Sequence, residues 1–269
     1  MFVKRYSLCE TAYYSDNYIA DWLKLQSETQ EETLTEWLLF NLLRFADVQI
    51  YTRLFNKREE GGWSGADFDM WCEFEGFHFR VRMQSKKLTR GKDHYASLSH
   101  CNRSGFQIDM LMKSSARGKF LPLYLFFAQQ EKCGQCSIME NNFSHSIFVR
   151  SANSVHGLLF SSGRTKIDQK TALNDATAWQ HLWCEQLFSS KRVTLNEFRQ
   201  SVEGKFVRIG GHDASYEPTE YIGRTSTGVH EGGVPELVHR VLGGEDEDVE
   251  AYRGEYGLTK AVMLINLSE

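Results

Sequence analysis

Three polar residues in the first third of the chain have types and spacing suited to chemistry on an anionic substrate: Asp67, Gln84 and Lys86. Two period-2 segments carry them. Phe68, Met70, Cys72 and Phe74 alternate with polar residues, and so do Phe77, Phe79, Val81 and Met83. The pattern predicts two strands with one apolar face each. Glu75-Gly76 between them suits a two-residue turn. That turn sets a register in which every apolar residue meets an apolar partner, Phe74 with Phe77 through Phe68 with Met83. A slip of one residue would destroy this match. The same register places Asp67 across from Gln84, and Lys86 two residues on projects from the same face. A carboxylate with amide and backbone oxygens suits Mg²⁺, a hard cation that keeps several waters. A lysine beside such an ion can position or help deprotonate an attacking water and steady developing charge.

Other elements must hold this hairpin. A helix is predicted over residues 30–45, with Leu34, Trp37, Leu38, Asn41, Leu42 and Phe45 on one face and Glu31 and Glu32 in its first turn. A short extended segment over 47–55 and a Gly-rich loop, Glu59 to Gly65, lead into the hairpin. Beyond it come a basic loop with a short helix around Tyr95–His100 and a helix over 106–116. The continuous apolar run Leu121–Phe127 reads as a strand covered on both faces. Further strands are expected at 146–149, 158–160 and 258–267, and helices at 174–188, 194–202 and 234–242. The stretch 205–232 reads as irregular.

These residues resemble a family. Gly65-Ala-Asp67, a strand, a turn, a strand and Gln84-Ser-Lys86 resemble the active-site hairpin of the restriction-endonuclease-like, PD-(D/E)xK nucleases. The Gln variant is similar to the Mrr-like, QxK branch. The resemblance covers about residues 30–130. It implies an α/β fold: an αβββαβ core with a mixed central sheet flanked by helices. The tail over 131–269 is not explained by it and is read as a C-terminal elaboration of the same single domain. By that resemblance Asp67 is the principal metal ligand, and Gln84 stands where Glu or Asp is usual, which removes one negative charge. The Ser85 carbonyl is a further ligand, Lys86 activates or positions the water, and Glu32 is the acid from the first helix, with Glu36 its competitor. Gln107 matches a polar position near DNA. The implied activity is Mg²⁺- or Mn²⁺-dependent hydrolysis of phosphodiester bonds, with DNA as the expected substrate. Restriction or anti-phage defence is the implied setting, and a homodimer or a regulatory protein the implied partner. The alternative is a nuclease-like fold that binds nucleic acid, or a protein partner, without cutting.

Net charge is −4 over 269 residues, which by itself argues against a nucleic-acid partner. The distribution reverses that inference. Residues 80–119 hold ten Lys or Arg against two acids, including Lys87, Arg90, Lys92 and Lys113, so they carry +8 and the remainder −12. A local positive field of this kind is one signature of a phosphate-facing surface; a solvated helix face is the competing explanation. No run of 18 apolar residues occurs, so no membrane span is expected. The first residues lack the apolar segment of a secretory signal, which points to a cytoplasmic protein with its six cysteines reduced. Cys133-Gly-Gln-Cys136 could be half of a zinc site, but a second pair or two suitably spaced histidines are missing; a tight loop is the plainer reading.

Overall fold

A computed structural model of the chain describes residues 4–26, 28–55, 64–88, 93–95, 98, 100–102, 105–132, 144–160, 166–184, 194–207, 226–244, 246–257 and 259–268. The protein is α/β, with one mixed eight-stranded sheet between two helical layers.

Two helices come first, α1 (Leu8–Leu25) and α2 (Glu31–Phe45), followed by β1 (Gln49–Leu54) and the hairpin strands β2 (Phe68–Phe74) and β3 (Phe77–Lys87). Helix α3 (Gln107–Gly118) leads to β4 (Leu121–Lys132) and β5 (Ser144–Ser151). Then come α4 (Ala152–Phe160), α5 (Gln169–Leu173), β6 (Thr177–Ala178), α6 (Trp179–Cys184) and α7 (Leu195–Val202). The chain closes with β7 (Val229–Glu231), α8 (Glu236–Gly243), α9 (Asp246–Tyr256) and β8 (Ala261–Asn266).

Sheet order is β1-β8-β2-β3-β4-β5-β6, and β7 pairs with the start of β3. The hairpin register is the one its apolar pattern dictates, from Phe68 opposite Met83 to Phe74 opposite Phe77. Strand β4 runs parallel to β3, with Tyr124 opposite Gln84 and Phe126 opposite Lys86. The last strand, β8, lies parallel to β2 and antiparallel to β1. It therefore separates β1 from the hairpin, and the segment beyond residue 131 supplies a central strand.

Both faces of the hairpin are covered. Met70, Cys72, Phe79, Val81 and Met83 pack with Leu34, Leu38 and Leu42 of α2 and with α1. On the other face Trp71 joins Phe120, Val238, Val249, Tyr252, Val262 and Leu264. Alternation puts Asp69 and Arg82 on the polar side of the hairpin, yet both are 0% exposed. Arg82 Nε and Nη2 donate to the two Asp69 carboxylate oxygens, each at 2.7 Å, and the Tyr252 hydroxyl donates to Asp69 at 2.9 Å. Helices α8 and α9 seal what period-2 reading leaves to solvent. Arg80 lies over the Trp71 ring, 5.2 Å from its centroid.

Other local expectations also change. Residues 158–160 end helix α4, because Ala152, Val155 and Leu159 share one helical stripe against the sheet. Tyr95 pairs with Ile167 in a two-residue ladder instead of opening a helix. The helix expected from 174 begins at Trp179, after β6 has paired Thr177 and Ala178 with β5; Leu187 lies outside the described residues.

Cys9 and Cys184 form a disulfide, so the reading of all six cysteines as free thiols is corrected. Helices α1 and α6 pack together and bring the two Cα atoms to 4.7 Å across 175 residues of sequence. Closing so long a loop stabilises the fold by about 2–5 kcal/mol. Reducing the bond, or making Cys9→Ser, should lower the thermal midpoint by several degrees, read by scanning calorimetry with and without dithiothreitol. An unchanged midpoint would show that the bond does not form. Cys133 and Cys136 lie outside the described residues.

Candidate active site

The site lies where the hairpin opens, at the start of β2 and the end of β3. Gly65, in the left-handed region at φ +70°, turns the chain in front of Asp67. A Cβ there would sit 2.4 Å from the Gln107 carbonyl oxygen and 2.6 Å from the Leu111 nitrogen. Only glycine lets α3 approach this closely. Gly65→Ala is expected to cost at least about 2 kcal/mol through strain and overpacking, seen as a lower urea midpoint. A midpoint equal to wild type would contradict the close approach.

Asp67 is 6% exposed and anchored from both sides. Its N–H donates to the Met83 carbonyl at 2.8 Å, and its own carbonyl accepts from Lys260 and Ala261 at the head of β8. Its carboxylate gathers three donors. Gln84 Nε2 reaches Oδ2 at 2.6 Å, the Ser85 N–H reaches Oδ2 at 2.8 Å, and Lys260 Nζ reaches Oδ1 at 2.8 Å. Gln84 Nε2 also donates to the Ser85 carbonyl at 3.0 Å, and Gln84 Oε1 accepts from Gln107 Nε2 at 2.7 Å. Asp67, Gln84, Ser85 and Gln107 thus converge in one hydrogen-bonded chain.

Lys86 is 4% exposed. Its ammonium lies 3.2 Å from Glu31 Oε1, while Glu31 Oε2 accepts the Lys87 N–H at 2.7 Å. The helix-borne acid beside the lysine is therefore Glu31, neither Glu32 nor Glu36. Glu32 is exposed and faces Lys260 Nζ at 3.5 Å; Glu36 is exposed as well. A signal for Glu31 was present in the sequence. It precedes Leu34 by three residues, Thr35 by four and Leu38 by seven, so it sits in the middle of the buried stripe of α2. Glu32 is turned from that stripe by about 100°. Thr35 confirms the facing, donating to the Ser85 hydroxyl at 2.8 Å.

Burial pushes the Glu31 carboxyl above the ordinary range against the pull of Lys86, and nearby Asp67 adds to the rise. Glu32 is held below it by the backbone hydrogen bond at its own position and by Lys260. Tyr124, opposite Gln84, was not singled out from the sequence because it sits in an apolar run. Its hydroxyl is buried and has no hydrogen-bond partner among the described residues. Burial, together with Asp67, Glu31 and Asp109, keeps this phenol protonated far above neutral pH. A protonated hydroxyl with no partner among the described residues has a hydrogen to offer a further acceptor.

The basic segment is less exposed than its charge suggests. Arg80, Arg82 and Lys86 are all buried, and Arg82 is neutralised by Asp69. Lys113 is exposed on α3, and Lys87 is half-buried at the end of β3. Arg90 and Lys92 lie outside the described residues.

The architecture defines an α/β protein built on a mixed sheet, with a buried polar cluster at the mouth of a central hairpin. A model for the family described as "Family of unknown function (DUF6615)" matches residues 8–269, and the chain belongs to that family. Neither the curated proteins nor the solved structures contain a significant match. No helix among the described residues is long and apolar enough to cross a membrane.

Proposed function

We propose that this protein is a metal-dependent phosphodiesterase of the restriction-endonuclease-like kind, acting on DNA. One observation carries the reading: Asp67, Gln84, the Ser85 backbone, Lys86 and a helix-borne Glu31 gather at the mouth of one hairpin. The chain order α2, β1, hairpin, α3, β4 agrees with the αβββαβ core, although β8 lies between β1 and β2 in the sheet.

The donor set fits Mg²⁺ or Mn²⁺ in its chemistry. Among the described residues no three His, Cys, Asp or Glu side chains converge as a metal cage. An ion here would be held by the Asp67 carboxylate, the Ser85 carbonyl and Gln84, with water filling the rest, as Mg²⁺ prefers. Asp67 Oδ1 already faces a cation, the Lys260 ammonium. The bound ion would polarise the phosphate and lower the pKa of a bound water. Gln84 could offer its oxygen only if its amide turned over, with the Gln107 amide turning in concert to preserve their hydrogen bond. Lys86, held by Glu31, positions the attacking water and steadies the charge that develops on the phosphoryl oxygens. The Tyr124 hydroxyl is a donor on the same side. Lys87 and Lys113, with Arg90 and Lys92 of the adjoining segment, would supply phosphate contacts that weaken steeply with salt.

A second reading is favoured by the present hydrogen bonding. Gln84 turns its NH₂, not its oxygen, toward Asp67, an arrangement suited to a site that binds nucleic acid without cutting. One experiment separates the two. Gel shift and cleavage are measured on the same plasmid samples, with Mg²⁺, Mn²⁺ or chelator. Divalent-dependent nicking supports the enzyme; retarded but intact DNA under every ion condition supports the binding module.

A further inference from the structure

Asp67 faces a second lysine that no motif marks. Lys260, from the turn before β8, places Nζ 2.8 Å from Asp67 Oδ1 and 3.5 Å from Glu32 Oε1. Its position is not a chance of side-chain reach. The backbone N–H groups of Lys260 and Ala261 both donate to the Asp67 carbonyl, at 2.8 and 3.1 Å. The Lys260 carbonyl accepts from Phe55 N–H at 2.9 Å. The ammonium is thus tied to the residue whose carboxylate it neutralises. It also links two acids from distant parts of the chain, one before β2 and one in the first turn of α2. The Lys260 side chain is 40% exposed, against 8% for Asp67, so the cation can leave toward water while the carboxylate stays.

Two carboxylates sharing one ammonium form a site for positive charge. An ammonium and a divalent ion cannot both sit at the same carboxylate oxygen without strong repulsion. We propose that Lys260 is a positioning residue of this centre: a tethered counter-cation that keeps Asp67 and Glu32 together and that a divalent ion must displace from Asp67 in order to bind. This rests on the reading of Asp67 as an ion ligand. Displacement leaves Lys260 within reach of Glu32 and of a phosphate arriving at the site. The C-terminal segment thereby couples ion loading to the charge at the mouth of the hairpin, and the insertion of β8 beside β2 gains a functional reason.

The test is Mn²⁺ binding to the full-length protein, followed by the electron-paramagnetic-resonance signal of free Mn²⁺, with no nucleic acid present. Lys260→Met should bind Mn²⁺ about tenfold more tightly than wild type, within the usual range of coupling between sites. Lys260→Gln, which keeps a polar group without charge, should do the same and decides the matter if the Met variant does not fold. Lys260→Arg should bind as weakly as wild type. Adding Asp67→Asn to Lys260→Met should remove the gain. Affinity unchanged or weaker in Lys260→Met and Lys260→Gln, with binding still lost in Asp67→Asn, overturns the role of Lys260 and leaves the ion site standing. No Mn²⁺ binding to wild type or to either uncharged variant overturns the ion site, and the proposal with it.

Discussion

Arg82→Ala should destabilise the protein by about 3–5 kcal/mol, because it strands the buried Asp69 carboxylate. That is a large part of the roughly 5–15 kcal/mol by which a typical domain is stable. Asp69 has no solvent to fall back on: both members of the pair are fully buried, and the remaining oxygen contact is the Tyr252 hydroxyl. Arg82 also lies 4.4 Å from the centroid of the Phe120 ring, so truncation removes packing as well as charge. Tyr252 in turn accepts from Trp71 Nε1 at 3.2 Å, which ties the pair to the core beneath α9. The joint change Asp69→Leu with Arg82→Met removes both charges, and should recover much of the loss. Urea unfolding of the three proteins checks this. A single variant within about 1 kcal/mol of wild type, the level of an exposed pair, would contradict the buried geometry.

The second large effect concerns the proposed DNA cleavage. Glu31→Gln should lower the rate of DNA cleavage by about 100-fold, the lower end of what a positioned acid–base partner contributes. The amide cannot hold the Lys86 ammonium as the carboxylate does, so Lys86 loses its ion-pair anchor on α2. Glu36→Gln, on the exposed side of α2, should cut at the wild-type rate. Glu32→Gln should act through Lys260 and alter ion dependence more than the rate at saturating ion. The pH profile follows from burial. Glu31 takes up a proton at higher pH than an exposed carboxylate, so the Lys86 ion pair is intact above its raised pKa and is lost as pH falls through it. The acid limb of the activity profile should therefore lie above the usual glutamate range and disappear in Glu31→Gln. Equal rates for Glu31→Gln and Glu36→Gln would remove Glu31 from the site.

The parts of this account legible in sequence are those set by local pattern. The hairpin register follows from apolar residues meeting apolar partners, and just beyond its last pair, Phe68 with Met83, the Gln84 amide meets the Asp67 carboxylate. Glu31 was legible too, from its place in the α2 stripe, but its neighbour Glu32 is also a glutamate and one residue away. What pattern cannot show is pairing across long separations. The ladder of β8 with β1 and β2 joins residues about two hundred positions apart. That ladder brings Lys260 to Asp67 and lays α9 over Asp69 and Arg82. The same holds for Cys9 with Cys184, and for Asp16. The Asp16 carboxylate, on α1, accepts from the Ser146 and Ile147 N–H groups and faces His145 Nδ1 at 2.6 Å. Alternation of polar residues along β2 and β3 reads as a solvated face only while nothing covers it, and here the C-terminal helices do.

The central claim is that the cluster at the mouth of the hairpin hydrolyses phosphodiester bonds. The initial rate of supercoiled-plasmid nicking in Mg²⁺ or Mn²⁺ tests it most directly, for wild type, Asp67→Ala and Lys86→Ala, each with its thermal midpoint recorded. The account predicts nicking by wild type that chelator abolishes and that falls to background in both variants while they remain folded. Nicking at the same rate in all three proteins, or in none of them, would contradict it.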